Sequence, residues 1–144
     1  GEFDADTYRE TAVPALSRVL TRFKKAMPNT PVVYYSRGTG PAHWKSLIEL
    51  PIDCMGVDWR HDLSTVLREF GDRFSIQGNF DPDMLKANPD VFERELKTYF
   101  DAILKGTRPE QRRGWVSGLG HGVLPGTPEQ NVRHFMKTQK EVFS

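Results

Sequence analysis

Cysteine is almost missing from this sequence: Cys54 alone occurs in 144 residues. No disulfide can close within the chain, and no cysteine-based metal site can be assembled from it. Cys54 lies in an apolar run, which marks it as a buried, unreactive thiol, and a chain without disulfides suits a reducing compartment. Long hydrophobic runs are missing too. Nothing approaches the ~20 apolar residues that span a bilayer, and the N-terminus lacks the basic-then-apolar pattern of a secretory signal. The sequence therefore reads as soluble and cytoplasmic, with no membrane partner. Charge of one sign is also lacking: 20 Lys and Arg stand against 19 Asp and Glu. A nucleic-acid surface normally carries a clustered basic excess, whereas Lys24-Lys25 and Arg112-Arg113 are short pairs read as solvated. No nucleic-acid partner is expected. A polyanionic small molecule stays compatible, because a few arginines inside a pocket barely move the total. Phosphate-loop signatures are absent as well, since Gly118-Leu119-Gly120-His121-Gly122 does not have a nucleotide-binding spacing.

What is present is an alternation of short β-rich runs with longer stretches of helical spacing. Asp4 or Asp6 can cap a first turn, and Tyr8, Ala12, Leu16, Val19 and Phe23 recur on a helical face. Pro14 interrupts this pattern, so the spacing predicts a short helix and then a second one from near Pro14 to before Pro28. A first strand is expected over Pro31–Ser36, apolar almost throughout as in strands covered on both faces. A turn follows at 37–40, then a helix over Pro41–Leu50. A second strand is read over Cys54–Trp59, followed by a helix marked by Leu63, Val66, Leu67 and Phe70 and closed by Gly71. A third strand covers Phe74–Asn79. A short helix then runs from Asp81 to Leu85, and a longer one from Pro89 to Leu104. After a polar loop over Thr107–Arg113 comes a fourth strand at Trp115–Leu119. The last helix is opened by Thr127 as cap and Pro128 as first residue, with Val132, Phe135, Met136 and Val142 facing inward. Strands alternating with helices argue for βαβ units and a parallel sheet.

The strand ends carry the chemistry. Ser36-Arg37-Gly38, Asp58-Trp59, the segment Gln77–Asp81 and the loop Gly118–Gly122 each follow or finish a strand. Parallel strands present their C-terminal ends on one rim, where α/β barrels build their sites. His121 sits between glycines that allow close approach, and a histidine there can donate to a carboxylate or act as an acid near neutral pH. Asp58, Gln77 and Asn79 have two readings each, as ligand-facing groups or as ties between backbone segments. His43, His61 and His134 are placed on helical faces, solvated, and Trp44, Trp59 and Trp115 are read as packing.

These strand ends resemble the uroporphyrinogen decarboxylase family. Gly56-Val57-Asp58-Trp59 is similar to its apolar-Gly-Leu-Asp-Trp strand end, and Ile76–Pro82 to its Leu-Gln-Gly-Asn-Leu-Asp-Pro segment. Leu119–Pro125 is similar to its Leu-Gly-His-Gly-apolar-apolar-Pro loop, and Thr127–Val132 to the Thr-Pro-x-x-Asn-Val that follows. Order and separation match, and the resemblance runs from about Gly1 to Phe143. It implies a (β/α)8 barrel that removes CO2 from the four acetate side chains of uroporphyrinogen in tetrapyrrole (haem) biosynthesis. No metal or organic cofactor is implied, because the pyrrole itself acts as electron sink. It places His121 in the substrate cleft, with Asp58, Gln77 and Asn79 as further substrate-binding candidates. No catalytic residue is assigned within this chain: the family's arginine-rich motif, central aspartate and cleft tyrosine and serine all lie upstream of the matching region. Tyr35-Ser36-Arg37-Gly38 departs from the family's Phe-Ala-Lys-Gly pattern. A related branch transfers methyl groups between cobalamin and thiols using zinc. It needs a His-x-Cys near the first strand and a late cysteine, which Tyr34-Tyr35-Ser36 and Gly120-His121-Gly122 do not supply.

The fold implied for residues 1–144 is thus the C-terminal half of a (β/α)8 barrel, with four parallel strands where the whole has eight over ~250 residues. Half a barrel exposes two strand edges and the barrel-facing side of its sheet, and open edges invite pairing. The expected partner is uroporphyrinogen as substrate, together with either a second copy of the chain or the missing N-terminal half. A truncated or proteolysed enzyme, inactive alone, and a non-catalytic interaction module are both compatible with the sequence.

Overall fold

β1 (Val33–Tyr35), β2 (Cys54–Gly56), β3 (Ser75–Phe80) and β4 (Trp115–Leu119) form one parallel sheet in the order β1-β2-β3-β4. The structure is a computed structural model and describes residues 3–143. Its register explains the distribution of side chains. Tyr34, Met55, Ile76 and Trp115 form one row across the sheet, and Tyr35, Gly56, Gln77 and Val116 form the next. Successive side chains on a strand point to opposite faces, so the two rows face apart. Met55 and Ile76 are buried among helix side chains. On the other face Val33 is 57% exposed, Tyr35 42% and Val116 52%. The sheet is covered on one face only. Within these residues the first strand, expected to be covered on both sides, meets the helix-side core through Val32 and Tyr34, while Val33 and Tyr35 look onto the open face.

Three helices supply most of the covering layer, beside Tyr8, Leu20, Trp44 and Leu47 from earlier elements. α4 (Leu63–Phe70) starts at Asp62, whose Oδ1 accepts the Thr65 amide at 2.7 Å, and buries Leu63, Val66, Leu67 and Phe70. α5 (Pro89–Gly106) is capped by Asn88, which accepts from Val91 N at 3.0 Å, and buries Phe92, Leu96, Phe100 and Ile103. That three-to-four spacing places all four on one stripe, each contributing roughly 1.5–3 kcal/mol relative to an exposed position. α6 (Glu129–Phe143) brings Phe135 onto Phe80 and Phe100, with ring centroids 5.4 and 5.8 Å apart. Met136, expected inward, is 54% exposed, because it lies about 100° around the helix from Phe135. Thr127 does not cap α6: its hydroxyl donates back to Leu124 O at 2.8 Å.

The first helix is not broken at Pro14. α1 (Ala5–Thr7), a π-turn (Tyr8–Ala12) and α2 (Val13–Ala26) follow without a gap, and Asp4 caps the start. The wider i→i−5 turn just ahead of Pro14 accommodates a residue that has no N–H to donate and whose ring would crowd the preceding carbonyl. Val19 is 64% exposed although it lies on the apolar stripe. It borders a cavity of about 780 Å³ between α2 and Tyr34 of β1. Lys24 is not simply solvated: its Nζ joins Asp53 Oδ2 at 2.7 Å and Thr30 O at 2.9 Å, and Asp53 also accepts Val32 N. This clip ties the end of α2 to the entrances of β1 and β2. The helix expected at Pro41–Leu50 is a short α3 (Pro41–Trp44) followed by a 3₁₀ turn at Lys45–Leu47. The 107–113 loop contains a 3₁₀ turn at Pro109–Arg112.

Candidate functional site

The C-terminal ends of the strands meet on one rim, stitched together by a few polar groups. Asp58 follows β2, and its carboxylate lies almost fully buried, with the side chain 1% exposed. It accepts from Gly38 N beyond β1, from Arg60 N and from both Nε and Nη2 of Arg60. Burial pulls its acidity upward, but the Arg60 hydrogen bonds, the Gly38 and Arg60 amides and the Arg60 charge outweigh it and hold the carboxyl at about 2. Asn79 of β3 is 3% exposed. Its Nδ2 donates to Asp58 O and His61 O, both at 2.8 Å, and its N–H donates to the Tyr99 hydroxyl at 3.0 Å. Asp58 and Asn79 thus join backbone segments, and neither lines the cleft on the open face.

Gln77 and His121 do line it. They share a cleft of about 390 Å³ with Tyr35 and Val123, floored by Gly56 and roofed by Gly120 and Gly122. His121 Nδ1 lies 2.7 Å from Gly122 O. A carbonyl only accepts, so Nδ1 carries the hydrogen, and in the neutral ring Nε2 is left as an acceptor. The ring packs T-shaped against Trp59 at a centroid distance of 4.9 Å. Gly120 donates to Phe80 O at 2.8 Å. A side chain on Gly120 would place Cβ 2.6 Å from Trp59 N, so the loop reaches this position only with glycine there. The Tyr35 hydroxyl donates to Gly120 O at 2.8 Å. Burial first, and then the Asp58 charge, raise the Tyr35 phenol above its usual range, which keeps it a donor. Arg37 lies over the far side of Trp59, 5.4 Å from the ring centre, so two guanidiniums, those of Arg37 and Arg60, flank this part of the rim.

Tyr35, Trp59 and Arg60 were not singled out from sequence as site residues. The available signal was position alone, since each ends or follows a strand. His61 corrects its reading as a solvated helical residue. It lies ahead of α4, its Nε2 donates to Thr39 O at 2.9 Å, and its ring packs on Trp44. His43 lies on α3 but is bound, accepting Gly40 N through Nδ1 and donating through Nε2 to Phe3 O. His134 is exposed and pairs with Glu93. Trp44 and Trp115 are packing residues whose indoles donate to Thr39 Oγ1 and Gly78 O. Cys54 is buried, as expected, and burial pushes its thiol up. Among the described residues no three His, Cys, Asp or Glu side chains converge as metal ligands, and no helix is long and apolar enough to cross a membrane.

The family model for uroporphyrinogen decarboxylase matches residues 1–142. The chain belongs to this family. Curated uroporphyrinogen decarboxylases from Trichodesmium erythraeum and Crocosphaera subtropica are 33% and 32% identical to it, over 100% and 99% of the chain. The chain spans 38% of the length of each. Among solved structures, a methyltransferase from Methanosarcina mazei superposes with a TM-score of 0.75 over 99% of this chain and 39% of its own, at 16% identity. That likeness concerns the fold. With the family in hand, the one-sided sheet is the C-terminal part of a family barrel, its open face being the barrel interior. The His121 cleft therefore opens inward, whereas the larger cavity runs from α2 along the outside of β1 to the rim residues Arg37, Gly38 and Arg60.

Proposed function

We propose that this chain forms the C-terminal half of an active-site barrel that decarboxylates the acetate side chains of uroporphyrinogen to give coproporphyrinogen. Family membership and the cleft that joins Gln77 and His121 on the barrel-facing side support the reading; the second is the observation that carries it. In the reaction each CH2–COO⁻ group loses CO2, takes up one proton and stays on the ring as CH3, the protonated pyrrole accepting the electron pair as the carbon–carbon bond breaks. His121 presents Nε2 to the cleft, as an acceptor when neutral and as a donor to a substrate carboxylate when protonated. Gln77 offers an amide beside it. Asp58 and Asn79 act at one remove, by holding the rim. The groups that drive protonation belong to the N-terminal half, so the chain alone is inactive.

The helices bear on what completes the barrel. One helix covers each step from strand to strand in a (β/α)8 barrel. This chain carries α2 ahead of β1 and α6 after β4. A second copy would bring two helices to each seam, where one fits. An N-terminal half that begins and ends on a strand leaves one, and it is the favoured partner over a homodimer. The test is to join the chain to the N-terminal half of a family member, verify one closed species by solution mass, and assay anaerobically for coproporphyrinogen. Product is expected from the closed barrel and none from the chain alone, with His121→Ala lowering turnover at least tenfold. A closed, folded barrel that releases no CO2 refutes the reading.

A further inference from the structure

The loop after β4 does not continue outward from its strand. Gly120 N bonds Phe80 O at the end of β3, and Gly120 lies against Trp59 at the end of β2. The loop thus folds back across the sheet toward β1, the strand at its far edge. There it meets Tyr35, whose hydroxyl donates to Gly120 O at 2.8 Å. The Tyr35 ring can reach so far because its neighbour in register is Gly56. A Cβ on Gly56 would stand 2.9 Å from the Tyr35 ring, so any side chain there would push the ring off β2. Among the described residues, no other side chain from outside the loop hydrogen-bonds the 120–123 backbone. The residue that follows the latched carbonyl is His121, whose own ring is held by Gly122 O and by a T-shaped contact with Trp59.

We propose that Tyr35 is a positioning residue: its hydroxyl latches the β4 loop to β1 and so fixes where His121 stands in the cleft. The consequence for a polycarboxylate tetrapyrrole rests on the function proposed above, but the latch itself does not. The hydroxyl is also what separates Tyr35 from a phenylalanine, which fills the same space over Gly56 and leaves Gly120 O without its donor.

Tyr35→Phe in this chain tests the assignment, because it keeps the ring and removes only the bond. Three quantities are compared with the parent: ¹⁵N shifts of the His121 ring, amide exchange at His121, Gly122 and Val123, and the Kd for uroporphyrin followed by its fluorescence. The expected result is loop exchange about five- to tenfold faster, altered His121 ring shifts and a Kd raised by a similar factor, as the loss of one partly buried hydrogen bond predicts. The melting temperature stays within about 4 °C. Unchanged ring shifts and loop exchange overturn the latch, and so does a general loss of protection across the sheet, which would mark Tyr35 as a packing residue. A parent chain that fails to bind uroporphyrin, while Tyr35→Phe still frees the loop, supports the latch, and the same failure in the closed barrel counts against the substrate reading alone.

Discussion

Replacing Asp58 by Asn removes one negative charge from the centre of the rim and leaves the shape unchanged. The carboxylate accepts four donors, Gly38 N, Arg60 N and two nitrogens of the Arg60 guanidinium. An asparagine turns one acceptor into an NH2 group, which then faces one of these donors. Breaking a fully buried ion pair costs about 3–5 kcal/mol. Arg60 is half exposed and can turn to water, so the lower part of that range or less applies. An independent route gives a similar figure. Asp58 is held at about 2 against an ordinary 3.8, which at ~1.4 kcal/mol per unit is on the order of 2 kcal/mol. The sign follows from the depressed value. The contribution is complete above about pH 4, where the unfolded carboxyl is ionised, and is lost as pH falls toward 2. Urea unfolding of parent and Asp58→Asn at pH 7 should therefore show midpoints about 1 M apart, for a slope of ~2 kcal/mol per M. At pH 3 roughly half of the charge-dependent difference should be gone. A gap below about 0.5 kcal/mol at pH 7, or one that does not shrink at pH 3, refutes the balance of burial against Arg60.

Two further perturbations probe opposite ends of the sheet. Arg73 donates to three backbone carbonyls, Ile48 O and Leu50 O at 2.6 Å and Ile52 O at 3.1 Å, and so gathers the loop that leads into β2. Arg73→Met should lower stability by about 1–3 kcal/mol, seen as a lower thermal midpoint, and Arg73→Lys should recover only part because a point ammonium cannot fork; full recovery by lysine would refute the fork. Gly120→Ala puts a methyl group 2.6 Å from Trp59 N, so the β4 loop must lift off. The expected outcome is a changed Trp59 environment in fluorescence and a loss of about 1–3 kcal/mol, and an unaltered Trp59 signal would mean that the loop does not depend on this approach.

Much of the layout was legible along the chain. The short β-rich runs located all four strands. The helical spacing of Leu63, Val66, Leu67 and Phe70, and the stripe of Val91, Phe92, Leu96, Phe100 and Ile103, located α4 and α5. Asp4 announced the first helix, because a cap acts on amides two or three residues away. Legibility failed where a local turn had an alternative geometry and where the deciding contact was distant. Pro14 reads as a break, yet a π-turn absorbs it. Thr127 reads as a cap, yet its hydroxyl bonds Leu124 O. His61 reads as solvated, yet Thr39 O, twenty-two positions earlier, takes its hydrogen.

The same division holds at the site. Sequence alone determined that Asp58, Gln77, Asn79 and His121 share a rim, because parallel strands place their C-terminal ends together wherever they occur in the chain. Only the tertiary structure decided which of them face the cleft. Asn79 turns under the rim because two carbonyls and Tyr99 converge on it there, and Asp58 turns to Arg60 and Gly38. Gln77 and His121 are left facing the barrel interior, beneath a loop that Tyr35 reaches from the far edge of the sheet. Strand periodicity is a property of neighbours in sequence; burial of a carboxylate or an amide depends on donors and acceptors that only folding brings within 3 Å.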